Sequence, residues 1–325
     1  MRRVGPNSFT EIYFAGCNPG FVETSDGYVM IDSPQQPIDA VRWRERMEEK
    51  APIRYLINTE PHGDHISGNA YFPKVPVVGQ VQLQECFERY LNAFGSIEEK
   101  RERLKQTDPD SVWLLGHPDY IDPHGPSVTF TDGLILNVGD HTFQIMHHPG
   151  HTAPQTSVYV PEEGVVFTGD NVFHKCRSWL QECDPWEWLA ALRSIDALEV
   201  ETIVPGHGEP CGKAYLKEQA QIVENWVGFI ETQVDRGVGP EEILKEGVPV
   251  TRQDPYPIEM WVSKIGGASF TISYEIADPD DGKGKRLLYG TASTVLAPVD
   301  LASGHPRRLT DMERDVLGRF LDDGG

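Results

Sequence analysis

Ile53-Arg54-Tyr55-Leu56-Ile57-Asn58 runs directly into Thr59-Glu60-Pro61-His62-Gly63-Asp64-His65, and the reading of this junction decides the fold. The first six residues form a short apolar run suited to a buried strand. The next stretch places four nitrogen and oxygen ligands, Glu60, His62, Asp64 and His65, within six positions. Imidazoles and carboxylates crowded at a strand end bury polar groups at a cost in free energy, and coordination of a metal ion offsets that cost. If strand geometry continues, Glu60 and His62 point the same way because successive side chains alternate, while Asp64 and His65 turn toward a second metal position. The alternative reading of the same residues is a polar loop.

Three further pieces follow downstream: Pro149-Gly150-His151-Thr152, Phe167-Thr168-Gly169-Asp170 and Val204-Pro205-Gly206-His207-Gly208. Each puts one possible ligand after a strand, beside glycine that lets the chain turn tightly into a crowded site. An isolated His or Asp in such a place is more often structural than catalytic. Their joint occurrence, in this order, points to one metal centre.

Around these pieces, residues 9 to 32 alternate apolar and polar positions about glycines, which predicts two or three antiparallel strands. Residues 36 to 50 suit a helix. A long polar helical stretch is expected over roughly 80 to 106. Short β-type segments then follow at Val128 to Phe130, Leu134 to Val138, Thr142 to Met146, Thr156 to Val160 and Val165 to Thr168. Helices are expected from about Pro185 to Leu198, with Pro185 in the first turn after Asp184, and from about Lys213 to Val234. Strands followed by helices, twice over, predict an α/β fold of the layered αββα kind rather than a doubly wound parallel sheet.

Composition narrows the class. The 325 residues are 39% hydrophobic and 24% charged, ordinary globular values. No apolar run approaches the ~18 to 20 residues of a membrane span, and the N-terminus has no apolar segment of a secretory kind, so a soluble cytoplasmic protein is expected. Fifty acidic against 29 basic residues give a formal charge of -21. Such a charge repels nucleic acid phosphates and anionic lipid surfaces, so neither is an expected partner; acidity alone does not identify the expected small-molecule substrate, since its ordinary role is solubility. Five cysteines (Cys17, Cys86, Cys176, Cys183 and Cys211) are odd in number and contain no C-x-x-C pair, against both a disulfide framework and a Cys-ligated zinc site.

Taken together, the four ligand pieces resemble the metallo-β-lactamase superfamily, in the glyoxalase II and lactonase style of its motifs, over roughly residues 8 to 245. That family carries H-x-H-x-D-H, then a His, a bridging Asp and a last His. Every position is matched except the first His, whose place Glu60 takes. The resemblance implies an αββα sandwich with two divalent ions: the first held by Glu60, His62 and His151, the second by Asp64, His65 and His207, with Asp170 bridging. Zinc is the common ion of the family. Two divalent ions, three carboxylates and a bridging hydroxide are about neutral, where His in place of Glu60 would leave about +1, so the bound water should be less acidified. An oxygen-richer first site also shifts preference toward manganese or iron.

The implied chemistry is hydrolysis by a bridging metal hydroxide, with Asp64 and Asp170 as the catalytic carboxylates. No G-x-S-x-G segment suggests a serine nucleophile instead. The Asp170 piece implies an ester, thioester or lactone rather than a β-lactam. A β-lactam or an activated aryl ether, a diiron redox reaction, and a non-catalytic binding role are the competing readings. His174, four residues after Asp170, is a candidate to touch substrate or a metal ligand. His147 and His148 read as strand-end residues, and Trp179, Trp186 and Trp188 as core.

Near residue 250 the character changes, so residues 1–248 are expected to form the catalytic domain and 249–325 a C-terminal extension. Ser269-Phe270-Thr271-Ile272-Ser273-Tyr274-Glu275-Ile276 alternates strictly, an Asp-, Gly- and Lys-rich loop follows, and Arg286 to Val299 is again extended, which predicts a β-hairpin. With Ile265-Gly266-Gly267-Ala268, and Tyr289-Gly290-Thr291-Ala292-Ser293-Thr294-Val295-Leu296, this segment resembles the closing strands of a hotdog-fold thioesterase, about half of such a domain. Exposed strand edges call for cover, so pairing with an identical or different subunit is expected. An ordinary hairpin packed on the main domain is the alternative. Residues 309 to 322 suit a short helix.

Overall fold

The computed structural model describes residues 1–93, 97–115, 124–180, 182–246, 258–277, 288–300 and 305–321. The chain divides into two compact units, Met1–Pro249 and Val250–Gly325.

In the first unit, seven strands form one sheet in chain order: β1 (Arg2–Arg3), β2 (Ser8–Thr10), β3 (Gly20–Thr24), β4 (Gly27–Ile31), β5 (Ile53–Ile57), β6 (Val77–Gln80) and β7 (Val128–Phe130). The strands up to β4 are antiparallel, as the alternation over residues 9 to 32 predicts, and β4 to β7 are parallel. Parallel neighbours need a crossover. The helix α1 (Pro37–Glu48) supplies one between β4 and β5. The polar helical stretch is two helices, α3 (Leu83–Ala93) and α4 (Ile97–Thr107), preceded by the one-turn α2 (Gly63–Ile66).

A second, five-stranded sheet contains β8 (Gly133–Val138), β9 (His141–His147), β10 (Thr156–Val160) and β11 (Val165–Phe167). Beyond the two-residue β12 (Phe173–His174), its last member is β13 (Thr202–Val204), and the order is β13-β11-β10-β9-β8. Helices α5 (Pro185–Ala197) and α6 (Ala214–Asp235) pack on it, and α7 (Pro240–Glu246) follows. Asp184 caps α5 by accepting from the Trp186 and Glu187 amides, with Pro185 in the first turn.

Apolar strands buried on both faces set the layering. In β4, Val29 and Ile31 join Phe143, Ile145, Val158 and Phe167 of the second sheet, whereas Tyr28 and Met30 join Trp43 and Met47 of α1. In the second sheet, Val158 and Val165 face the first sheet, and Tyr159 and Val166 pack with Leu192 of α5 and Leu216 of α6. Three apolar layers separated by two sheets make an αββα sandwich.

The second unit is an antiparallel sheet of β15 (Ile258–Ile265), β16 (Phe270–Ala277) and β17 (Leu288–Leu296), with α8 (Asp311–Gly318); the remaining strand of the first unit, β14 (His207–Gly208), pairs with β12. Thr310 and Glu313 form a reciprocal capping box at the start of α8. The expected hairpin is thus two of three strands. β15 escapes the alternation test because the register shifts between Val262 and Lys264, a bulge that swaps the phase of its side chains. The Asp- and Gly-rich loop lies outside the described residues. Among the described residues, no helix is long and apolar enough to cross a membrane.

Candidate metal centre

All four ligand pieces arrive at one edge of the sandwich. Glu60 to His65 leave the C-terminal end of β5 and open α2, His151 follows β9, Asp170 lies in a tight turn after β11, and His207 follows β13 within β14. A buried strand brings each to the edge, where the chain must turn.

The side chains meet there. His62 Nδ1 is 2.5 Å from Glu60 Oε2 and 3.2 Å from His151 Nε2, and His151 Nε2 is 3.6 Å from both Glu60 Oε2 and Asp170 Oδ2. Beside them, His207 Nε2 lies 3.2 Å from Asp64 Oδ2 and 3.3 Å from Asp170 Oδ2, and His65 Nε2 lies 3.3 Å from Asp170 Oδ1. Two groups capable of holding an ion emerge, Glu60, His62, His151 and Asp170, and Asp64, His65 and His207. Asp170 reaches into both, through its two oxygens.

The fit to metal is tested by what these atoms lack. Glu60 Oε2, His65 Nε2 and Asp170 Oδ1 are fully buried and, beyond ion-pair contacts with His62 and with one another, make no hydrogen bond. Orphaned donors and acceptors of this kind are costly. Divalent ions between them would satisfy all three at once.

Charge follows the same pattern. Burial pushes Asp170 up, but His65 and His207 outweigh it and hold its carboxyl well below the usual range. Burial also opposes ionisation of Asp64, and again His65 and His207 prevail, so its pKa is lowered. Burial lowers the histidines, yet Glu60 raises His62, Glu60 with Asp170 and Asp32 raises His65 far above its ordinary value, and Asp170 with Asp64 lifts His207 to about 10. Protons stand where cations belong, the competition expected of nitrogens that bind metal.

A surrounding layer aims the ligands. Asp32 Oδ2 sits 2.8 Å from His65 Nδ1, and the same carboxylate accepts from the Thr59 amide and hydroxyl at 2.8 and 2.6 Å. His65 Nε2 is thereby turned to the centre. Asp32 is left-handed (φ 55°), a conformation Asp tolerates better than most residues. His151 Nδ1 donates to the Trp179 carbonyl at 2.9 Å, which frees Nε2. Cys17 lies near Asp32 and His65 in a third group of potential ligands, and burial pushes its thiol up to about 12. Gly206 is required by close approach: a Cβ there would fall 1.8 Å from Asp170 Oδ1.

The centre opens into a cleft of about 600 Å³, lined also by Gln35, Phe173, Cys176, Arg177, Trp179 and Glu182. His174 does not line it. Its Nδ1 donates to the Glu209 carbonyl at 2.6 Å and its ring meets Tyr215, so it braces the His207 turn instead. Of the three tryptophans read as core, only Trp188 is buried; Trp179 is 57% exposed at the cleft and Trp186 58% exposed. His147 is a strand-end residue, donating to the Ala153 carbonyl. Asp32 escaped the sequence reading, although it follows β4 as Asp170 follows β11. The Trp179 carbonyl carries no sequence signal, since every residue has one.

A family model described as "Metallo-beta-lactamase superfamily" matches residues 12–207. The linear primary-alkylsulfatase of Pseudomonas sp. (strain ATCC 19151) is 23% identical over 264 residues, 69% of this chain and 48% of that protein. A hydroxyacylglutathione hydrolase of Mesorhizobium japonicum is 32% identical over 98 residues, 30% of this chain and 36% of that protein. The chain thus spans half or less of the length of these relatives. Among solved structures, a double mutant of the sec-alkyl sulfatase PisA1 superposes with a TM-score of 0.57 at 16% identity, over 75% of this chain and 44% of that one. At that identity the likeness concerns the fold.

Proposed function

The chain belongs to the metallo-beta-lactamase superfamily, and on that premise we propose that it is a metal-dependent hydrolase of a small ester, thioester or lactone. One observation carries this: three carboxylates and four imidazoles converge from four separate strand ends and leave Glu60 Oε2, His65 Nε2 and Asp170 Oδ1 buried without hydrogen bonds. Glu60, His62 and His151 would hold one divalent ion, Asp64, His65 and His207 the other, and Asp170 both. Such ions supply Lewis acidity and a water that ionises near neutral pH.

The chain's own groups do the rest. Asp32 and the Trp179 carbonyl fix the rings of His65 and His151. Asp64 is 23% exposed toward the cleft, and its carboxylate is the group positioned to take up a proton as water attacks. Phe173 and Trp179 give the cleft an aromatic lining beside these groups. Glu60 adds a negative charge where the family pattern has a neutral imidazole, which favours the harder ions manganese and iron alongside zinc.

The test is turnover of thioesters, lactones, aryl esters, alkyl sulfates, β-lactams and nitroaryl ethers by the metal-loaded protein. Hydrolysis of an ester, thioester or lactone that stops on chelation and returns with metal is expected; activity that persists after complete demetallation refutes the reading. Alkyl sulfates belong in the panel because of the two alkylsulfatase likenesses. Elemental analysis of Glu60→Ala settles its part: unchanged stoichiometry removes Glu60 from the ligand set.

For the second unit we propose self-association along β17. Its nine residues, Leu288 to Leu296, carry no charge, described residues 291–296 are exposed, and its only strand partner among the described residues is β16. An uncharged edge pairs with its own copy without like-charge repulsion. Ala292→Lys is expected to shift a dimer to monomer in sedimentation; a parent protein that is monomeric ends the idea.

A further inference from the structure

The two candidate ion positions are backed differently. At the second, that of Asp64, His65 and His207, the connection of residues 11–19 between β2 and β3 sets three consecutive residues against the three ligands. Gly16 stands behind Asp64: its backbone is left-handed (φ 93°), and a Cβ there would fall 2.8 Å from Asp64 Cβ. Cys17 is buried, with Sγ within 4.8 Å of ligand atoms of His65 and Asp32. Asn18 holds the His207 turn from both sides. Its amide donates to the Gly206 carbonyl at 2.8 Å, and its Nδ2 donates to the Pro205 carbonyl at 3.0 Å and the Gly208 carbonyl at 2.7 Å.

The connection is itself fixed. At its base the Glu11 amide and the Thr10 hydroxyl both donate to the Pro19 carbonyl at 3.0 Å, and Phe14 packs edge-on against Trp43 with ring centroids 5.3 Å apart. From the other side the Gly206 amide donates to the Gly169 carbonyl at 2.8 Å, which ties the His207 turn to that of Asp170. Three carbonyls flanking one ligand thus converge on a single buried asparagine. Buried carbonyls need donors, and a primary amide supplies two hydrogens from one nitrogen without bringing a charge beside the ions. The first position has a counterpart. Buried Asn171 accepts at Oδ1 from the His151 amide at 3.1 Å and donates from Nδ2 to the His148 carbonyl at 2.7 Å, so it clasps the His151 turn.

We propose that Gly16-Cys17-Asn18 is a positioning element dedicated to the second ion, with Asn18 holding His207 in place for it, while Asn171 does the same for the first ion through His151. The two asparagines therefore set the two affinities separately. The inference rests on the two-ion reading of the centre but not on which bond is cleaved. Neither asparagine is a ligand; each acts through the geometry of a turn, and losing such a partner weakens metal binding by about 10–100-fold.

Zinc is the probe. Competition with a chromogenic chelator gives two dissociation constants, and anomalous diffraction at the zinc edge, from crystals equilibrated at limiting zinc, assigns each to its position. Asn18→Ala is expected to weaken the second ion by about 10–100-fold and leave the first close to parent. Asn171→Ala should do the reverse. Asn18→Asp keeps the size but offers only acceptors to the two carbonyls, so it should also weaken the second ion, although an added negative charge alone would tighten it. It carries the test if Asn18→Ala does not fold. Gly16→Ala, which displaces Asp64, should again empty the second position first.

Equal loss at both positions in Asn18→Ala, or parent-like zinc affinity in Asn18→Asp, overturns the proposal. So does a lower melting temperature of metal-free Asn18→Ala with both constants unchanged, the result a purely structural tie would give. Selective loss of the second ion in a protein that turns over none of the esters, thioesters or lactones would instead sink the hydrolase reading and leave this one standing.

Discussion

The two units bury their apolar residues very differently. Met1–Pro249 contains every one of the largest fully buried side chains, among them Trp188, Tyr28, Phe72, Phe87, Phe143 and Phe167, whereas among the described residues of Val250–Gly325 the buried hydrophobics are Val262 and Leu309. In the first unit the central strands β4 and β11 are apolar on both faces and covered on both. In the second, Met260, Val295, Met312 and Phe320 remain exposed. The contrast teaches that the candidate metal centre is built where packing is deep enough to hold buried charges, whereas the described strands of the second unit leave apolar side chains in solvent.

The largest effect should come from the deep unit. Gly206→Ala drives a Cβ into Asp170 and is expected to reduce metal affinity by more than the about 10–100-fold typical of changes beside a ligand. Asp32→Asn, which leaves His65 without its carboxylate, should fall within that about 10–100-fold range. Competition with a chromogenic chelator measures both, and parent-like affinity in Gly206→Ala would show that the turn relaxes.

Next in size, Phe143→Ala in the central layer should cost about 3–5 kcal/mol, against about 1 kcal/mol for Val262→Ala in the second unit. Denaturant unfolding followed separately in the two units decides it. Equal costs would erase the contrast between the cores.

A pH dependence follows from His148, which burial brings down to about 4 with help from His147. A histidine whose folded pKa is depressed is stable as the neutral ring. Its contribution is therefore complete above about pH 6.5, the unfolded value, and is lost as pH falls through 6.5 toward 4. His148→Gln should flatten the acid limb of the stability curve of the first unit. An unchanged limb would assign acid sensitivity to the metal ligands alone.

The smallest effect belongs to the second unit: Thr310→Ala removes half of the capping box of α8 and should cost about 1 kcal/mol. Circular dichroism melts of the full chain would register it as a shift of the weaker transition.

Much of this architecture was legible in the chain because its signals are local. The alternation over residues 9 to 32 marks the antiparallel strands, and Glu60 to His65 show ligand-type residues following a strand end within a few positions, whereas burial of β4 on two faces emerged only from the packing. Legibility failed where one residue reverses the pattern. The bulge after Val262 hid β15, and the exposure of Trp179 and Trp186 contradicts what an indole ordinarily prefers.

By itself, then, the sequence determined the layered fold and the ligand types, since period, turn residues and donor chemistry are properties of neighbours along the chain. Tertiary structure alone decided how those ligands are used. Glu60 and Asp170 are 110 residues apart, His65 receives its carboxylate from the far end of β4, and His151 is aimed by a backbone carbonyl. Contacts between distant segments leave no periodic trace. They exist only once the strands are packed and their ends brought to a common edge.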